Sequence, residues 1–397
     1  MADTATSADS ERTLRACALM SCAYFTSIGA FNPYAPLWYK ELGLPVFAIG
    51  VLVSLQSWTR LFAPYLWGAL ADRSGQRVQL IRWASLACLI SACGFLLPPS
   101  FATLAVSAFL MFFFNAAVVP LTETVVAAQL ITQSGGMDAR RYGRVRVWGS
   151  IGFLSTVLLG GWWFQHAGMG SFAWTILALL ALLLWSALRL PVQPVQAHHA
   201  HEPAPPILAV LRRREVQWFF AGVFLTVLAH SALYVFFSLY LDGLGYSKPM
   251  VGVLWGVGVI VEIAWFAFQG RLLERARPHA WLLLAAVLAA LRFAVTAAFG
   301  GWLALLILAQ CLHAITFAAQ HTVCIALVTR YFPGRLRGRG QALYSVLGYG
   351  CSGVLGGVAG ASLASHWGYA ATFWAASVVA LLGALCCWRS MKLDPAG

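Results

Sequence analysis

The sequence predicts an all-α membrane protein, with twelve transmembrane helices arranged as two six-helix halves. Three observations carry that expectation. Only 10% of the 397 residues are Asp, Glu, Lys or Arg, against 60% hydrophobic, where a soluble domain carries about 25% charged residues. Apolar windows of the roughly 20 residues that a spanning helix needs recur along the whole chain. The basic residues then sort to one side of these windows. Of the 26 Lys and Arg, all but four lie in the N-terminal tail, in alternate loops and their edges, or past the last window. Lys40 and Lys248 lie on the opposite side, and Arg60 and Arg292 lie within windows. This is the positive-inside signature, and it expects both termini in the cytoplasm. The net charge of +13 is then topological and does not point to nucleic acid.

Each element follows in order. Residues 1–13 are polar and acidic and read as a cytoplasmic tail, without the basic n-region or cleavage site of a signal peptide. Span 1 (14–39) holds Asn32, span 2 (46–70) holds Arg60, and span 3 (79–97) is apolar. Span 4 (101–131) holds Asn115 and Glu123. Span 5 (147–166) is entered from an arginine-rich stretch, and span 6 (171–190) is rich in Leu. The stretch "PVQPVQAHHAHEPAPPILAVLRRREV" then breaks the pattern, and 192–216 reads as a cytoplasmic linker between halves at 14–191 and 217–389. Its "HHAH" reads as solvated rather than as a metal site, since three histidines in a Pro-rich linker have no fixed partners. Span 7 (217–241) carries His230, Tyr234 and Phe237 on one helical face. Span 8 (249–270) is apolar except for Glu262 and a terminal Gln, and span 9 (279–299) carries Arg292. Span 10 (302–329) carries His313, Thr316, Gln320 and His321. Spans 11 (341–364) and 12 (369–388) precede a cytoplasmic tail, 390–397. The nine cysteines have neither disulfide-framework nor metal-ligand spacing and read as small apolar residues.

The halves match each other. A shift of 202 positions aligns Gly50, Val51 and Leu52 with Gly252, Val253 and Leu254, and Gly68, Asp72 and Arg73 with Gly270, Glu274 and Arg275. Parallel repeats of this kind build transporter folds. The stretch "GALADRSGQR" (68–77) resembles the loop signature of the major facilitator superfamily, G-x-L-x-D-R-x-G-x-R, and "GRLLERAR" (270–277) is its weaker copy. Within the superfamily the chain is similar to the phenylpropionate permeases and the neighbouring lactose-permease-like proton symporters. That likeness rests on "VVPLTET" (118–124), "YGRVRVWGSIGF" (142–153), "GYSKPMVGVLWGVGVIVEI" (245–263) and "QCLHAITFAAQH" (310–321). The resemblance implies the major facilitator fold and alternating access. It makes Gly68, Asp72, Arg73, Gly75, Arg77, Gly270, Glu274 and Arg275 a cytoplasmic gate, whose charges latch one state or else only fix topology.

Ionisable residues inside spans cost about 2.5–3.5 kcal/mol at the helix centre and are functional candidates by default. Glu262 lies deep by count, and the 202 shift matches it with Arg60, so the halves put opposite charges at equivalent places. The pair handles protons or substrate, or else it is a static tie between helices. By the resemblance, the eighth-helix carboxylate, His313 and Arg292 take part in proton and substrate handling. The carboxylate that relatives carry three residues after the His is here Thr316, which leaves Glu262, Glu123 or a His as the proton carrier. On an α-helix His313, Thr316 and Gln320 share a face, whereas His321 points about 80° away and reads as structural. His230, Tyr234 and Phe237 form a flat wall for a ligand or ordinary packing. Asn32 and Asn115 donate to a ligand or to neighbouring helices. The resemblance gives Arg146 to the substrate, and its planar fork suits a carboxylate; the alternative is a topogenic arginine.

The expected function is secondary active transport, without catalysis and without a cofactor, powered by a proton gradient, since no nucleotide-binding motif occurs. The expected form is a multi-pass monomer of the inner (plasma) membrane. Its partners are a small-molecule substrate such as a phenylpropionate-like acid, protons and the lipid bilayer, and not nucleic acid. Export of drugs or metabolites, or sugar or nucleoside symport, on the same fold is the alternative. A sensor or assembly factor would need a folded soluble domain, for which there is no room.

Overall fold

The computed structural model describes residues 2–130, 138–192 and 207–394, with only the backbone given for 2–8 and 139–140. The "HHAH" of the linker lies outside the described residues. The described residues are helical, and no strand occurs among them. Twelve helices among them are long and apolar enough to cross a membrane: Asp9–Glu41, Val46–Ser74, Arg77–Leu96, Phe101–Leu130, Arg141–Ala167, Met169–Leu188, Arg214–Gly243, Lys248–Leu273, Pro278–Ala298, Leu303–Tyr331, Gly334–Trp367 and Tyr369–Leu393. These are spans 1 to 12. Spans 1, 5 and 11 start at least a turn before their apolar windows. The backbone stays hydrogen-bonded into the polar flank, and the first helix runs back to Ala2.

Several spans are interrupted. Span 2 breaks at Leu61–Phe62, because Pro64 removes an N–H and its ring opposes the Arg60 carbonyl. Span 4 breaks between Asn115 and Val118, where Pro120 acts in the same way on Ala116. Spans 10 and 11 each contain one π-helical turn, Ala314–Ala319 and Val346–Cys351.

The chain separates into two compact units, Met1–Trp38 with Phe62–Ala200, and Tyr39–Leu61 with His201–Gly397. In the first, Phe31 packs edge-on against Phe112 at 5.0 Å and also meets Phe172, while Trp38 stacks on Phe172 at 4.8 Å. In the second, Phe373 gathers Phe237, Tyr240 and Phe293 from spans 7 and 9. Phe237 is wholly buried in this core. Residues 39–61 belong to the second unit because the first part of span 2 lies directly on span 11. A Cβ at Gly50 would collide with Ala361 and come within 3.0 Å of the Gly357 carbonyl.

Candidate functional site

In the second unit the site is built around Arg292, which is buried to 1% exposure on span 9. Its guanidinium is held entirely by span 10. Nη1 donates to Nδ1 of His313 at 2.9 Å and to Oγ1 of Thr316 at 3.1 Å, and Nη2 donates to Oε1 of Gln310 at 2.6 Å. A guanidinium has no acceptor, so Nδ1 of His313 must accept. A neutral His313 therefore carries its proton on Nε2, which faces Oε2 of Glu262 at 3.7 Å. That is longer than a hydrogen bond and within one small rotation of becoming one. His313 has a side-chain exposure of 8%, and Glu262 of 28%. The chain Arg292–His313–Glu262 thus runs from a sealed cation to a partly open carboxylate. Glu262 and its repeat mate Arg60 both lie within electrostatic reach of Tyr234 and Tyr349.

His230 flanks this chain. Its Nδ1 donates to the Thr226 carbonyl at 2.8 Å, which leaves Nε2 as a bare acceptor. That atom is buried with no hydrogen-bond partner among the described residues. The ring meets Phe293 edge-on at 5.2 Å and lies 6.4 Å from His313. Tyr234 is half-buried near Phe317 and Trp255. Phe237 faces the aromatic core, so the expected three-residue wall reduces to His230 and Tyr234.

The π turn changes which residues of span 10 face together. His313 stacks on Phe317 at 4.9 Å, and Phe317 stacks on His321 at 6.4 Å, so the three rings form one column. His321 does not point off the site face as α-helical spacing requires, because the i→i+5 turn is wider and rephases everything after it. Its Nδ1 meets the hydroxyls of Tyr344 and Tyr349 at 3.0 Å each, and Tyr349 sits in the other π turn. Thr316 joins His313 on Arg292, whereas Gln320 is buried beyond the π turn. Gln310 was not expected at the site. Its signal was available, since it lies one helical turn before His313.

In the first unit a cavity of about 20 Å³ is lined by Phe25, Glu123, Tyr142 and Arg146 among others. That is room for about one water. Arg146 lies over the Phe25 ring at 4.6 Å. Tyr142, one turn before Arg146, lines the same cavity as Glu123 and lies within its electrostatic reach. Carboxylate, phenol and guanidinium thus converge beside an aromatic face. Asn115 is buried and donates to Sγ of Cys88 at 3.7 Å, tying span 4 to span 3. Asn32 is half-buried on span 1.

The model of the MFS_1 like family matches residues 18–375. The chain belongs to the major facilitator superfamily. It is 31% identical over 369 residues to the "Probable 3-phenylpropionic acid transporter" of Escherichia coli (strain K12), covering 90% of this chain and 93% of that one. It is 26% identical to "Maltose permease" of Geobacillus stearothermophilus, covering 91% and 90%. Among solved structures it is similar to the nucleoside transporter NupG, with a TM-score of 0.84 at 17% identity over 96% of this chain and 99% of that one. It is also similar to the POT family transporter PepTSo, with a TM-score of 0.78 at 11% identity over 96% and 98%. These structural likenesses concern the fold. The protein is therefore a multi-pass membrane transporter for a small molecule.

The superfamily's loop signature is well formed in the first unit. Gly75 closes the helix in the left-handed region at φ 64°, which a side chain would strain. Asp72 pairs with Arg77 at 3.6 Å across the turn, while Arg73 is exposed and Gly68 has open space around it. The second copy is built differently. Glu274 and Arg275 are exposed at the end of span 8, beyond Gly270, and pair with no charge among the described residues. At the place matching Arg77 stands His279, which turns instead to Asp394 at 3.4 Å and Tyr331 at 2.9 Å.

Proposed function

We propose that this transporter imports a small aromatic carboxylate of the phenylpropionate type together with a proton. It does so as a monomer without a cofactor, in the inner (plasma) membrane with both termini in the cytoplasm. The observation that carries the coupling is the Arg292–His313–Glu262 chain, a titratable path whose carboxylate end is partly open. The proton's acceptor is Glu262, toward which His313 presents an N–H. Charge balance ties this proton to the substrate. Two carboxylates, Glu123 and Glu262, stand in the spans beside Arg60, Arg292 and, in the same cavity as Glu123, Arg146. A carboxylate at membrane depth is costly unless a cation meets it, and Arg146 is the cation assigned to it here. A carboxylate arriving with a proton leaves the sum unchanged. The substrate class is supported by the 31% identical relative and by Arg146 beside Phe25, a cation next to an aromatic face. The basic residues on one face support the topology. No observation favours export or a sugar or nucleoside over this reading.

The test is uptake of labelled 3-phenylpropionate into proteoliposomes with an imposed pH gradient. Glu262→Gln should insert normally and abolish accumulation against a gradient, while still allowing exchange of substrate down its own gradient. PH-driven accumulation by the variant at the wild-type level would rule out Glu262 as the proton's acceptor. Outward-only flux would instead favour an exporter.

A further inference from the structure

Outside the transport site, the first unit carries a second built pocket, of about 200 Å³, where span 1 begins beside the start of span 5. Its rim is cationic. Arg15, Arg141 and Arg144 surround it, with Glu11 as its one acid. Glu11 is shared, lying 3.6 Å from Arg15 and 3.2 Å from Arg141, so it orders both side chains and cancels only one charge. Arg144 has no acid partner among the described residues. The pocket has a net charge of about +2 in a surface that is otherwise apolar a turn deeper. Its floor is apolar, with Leu14 and Val145 buried. Trp148, one turn deeper than Arg144, is 49% exposed on the wall. The helix of span 5 also starts here, with the Asp138 carboxylate capping the Arg141 N–H and offsetting the positive end of the helix dipole.

We infer that this pocket binds the phosphodiester headgroup of an anionic phospholipid. The arginines take the phosphate, and Trp148 with the apolar floor takes the glycerol and the first methylenes of the chains. The argument lies in the pairing of the two surfaces. A free phosphate uses the rim alone and gains nothing from an apolar floor. A zwitterionic lipid uses the floor but brings its own cation to an already cationic rim. An anionic phospholipid satisfies both, as basic pockets between membrane helices do when they hold lipid headgroups. Trp at the membrane interface is where an indole is favoured in any case. Val145 also lines the small cavity of Glu123 and Arg146, but neither the rim arginines nor Trp148 does, so the inference does not depend on the substrate or on proton coupling.

The experiment reconstitutes the full chain in nanodiscs with brominated-tail phosphatidylglycerol or brominated-tail phosphatidylcholine at equal mole fraction. The Trp148 signal is taken as the difference between wild type and Trp148→Phe. Phosphatidylglycerol should quench that signal several-fold more at low mole fraction, and Arg15→Ala with Arg144→Ala should abolish the preference, two rim cations being lost. Arg144→Gln alone, a milder change on an exposed side chain, should reduce it in the same direction. Equal quenching by the two lipids in the wild type would overturn the inference, as would a preference unchanged in both variants. Loss of the preference on adding millimolar inorganic phosphate would show a free-anion site instead, and would also overturn it.

Discussion

Arg292 is the residue whose chemistry is least replaceable. Its fork spans three neutral acceptors, Gln310, His313 and Thr316, and by donating to Nδ1 it fixes the tautomer that presents His313 Nε2 to Glu262. A lysine would keep the charge, but its single nitrogen cannot reach all three from one position. Hydrogen bonds to charged groups contribute about 1.5–3 kcal/mol each. Losing even one where the orientation of His313 depends on it is expected to cost tenfold or more in activity. Arg292→Lys should therefore reach the membrane in normal amounts and take up substrate at least about tenfold more slowly. Wild-type uptake by this variant would mean that His313 is oriented by something else. At this scale the sequence was informative about ions and poor about neutral groups. Glu262 and Arg292 stand out because a charge in an apolar run has a cost that demands a reason. Gln310 and the open Nε2 of His230 do not stand out, because amides and imidazoles in membrane helices serve packing as readily as chemistry.

Among elements, the apolar windows located all twelve spans, since spanning length and hydropathy are local properties. The two π turns were not legible. They occur where span 10 meets Arg292 and where span 11 carries the Tyr344–Tyr349–His321 contacts, and such contacts between distant residues are not local properties of the sequence. The effect on the site was large, because one widened turn moved His321 into the column of His313. The internal repeat was more informative than expected. Lys40 and Asp242, exactly one repeat shift of 202 apart, form an ion pair at 2.6 Å between the ends of spans 1 and 7. Magnitudes decide how much that contact matters. Its side chains are 46% and 32% exposed, and exposed pairs contribute about 0–1 kcal/mol. At Gly50 an added methyl would meet the Cβ of Ala361 and the carbonyl of Gly357 on span 11, and overpacking costs about 1–3 kcal/mol. Thermal unfolding in detergent should therefore show a clear loss of stability for Gly50→Ala and little for Lys40→Ala. The reverse order would mean that the helix ends, not the Gly50 crossing, hold this part of the second unit together.

For the whole molecule, function depends on which charges it can carry across a low-dielectric layer. On the proposed coupling, Glu262 takes up the proton that accompanies a charged cargo. This makes the substrate class testable without knowing the substrate. A small aromatic acid should compete for uptake of labelled 3-phenylpropionate better than its neutral amide, a disaccharide or a nucleoside. The cation assigned to the acid is Arg146, which lies over the Phe25 ring and lines the same small cavity as Glu123. That cavity has room for about one water, so an acid must open the contact between the guanidinium and the ring. Arg146→Lys keeps the charge and loses the planar fork that binds both carboxylate oxygens. It should weaken competition by the acid by about tenfold or more, since a charge-assisted bidentate contact is at stake, and change competition by the amide little. If acid and amide compete equally in the wild type, no carboxylate is being read, and the charge-balance argument for coupling loses its cargo. If the acid wins in the wild type and Arg146→Lys leaves its advantage intact, the carboxylate is read elsewhere. Arg292 is then the next residue to test, because its guanidinium faces only neutral acceptors and Glu262 is the nearest charge along its chain.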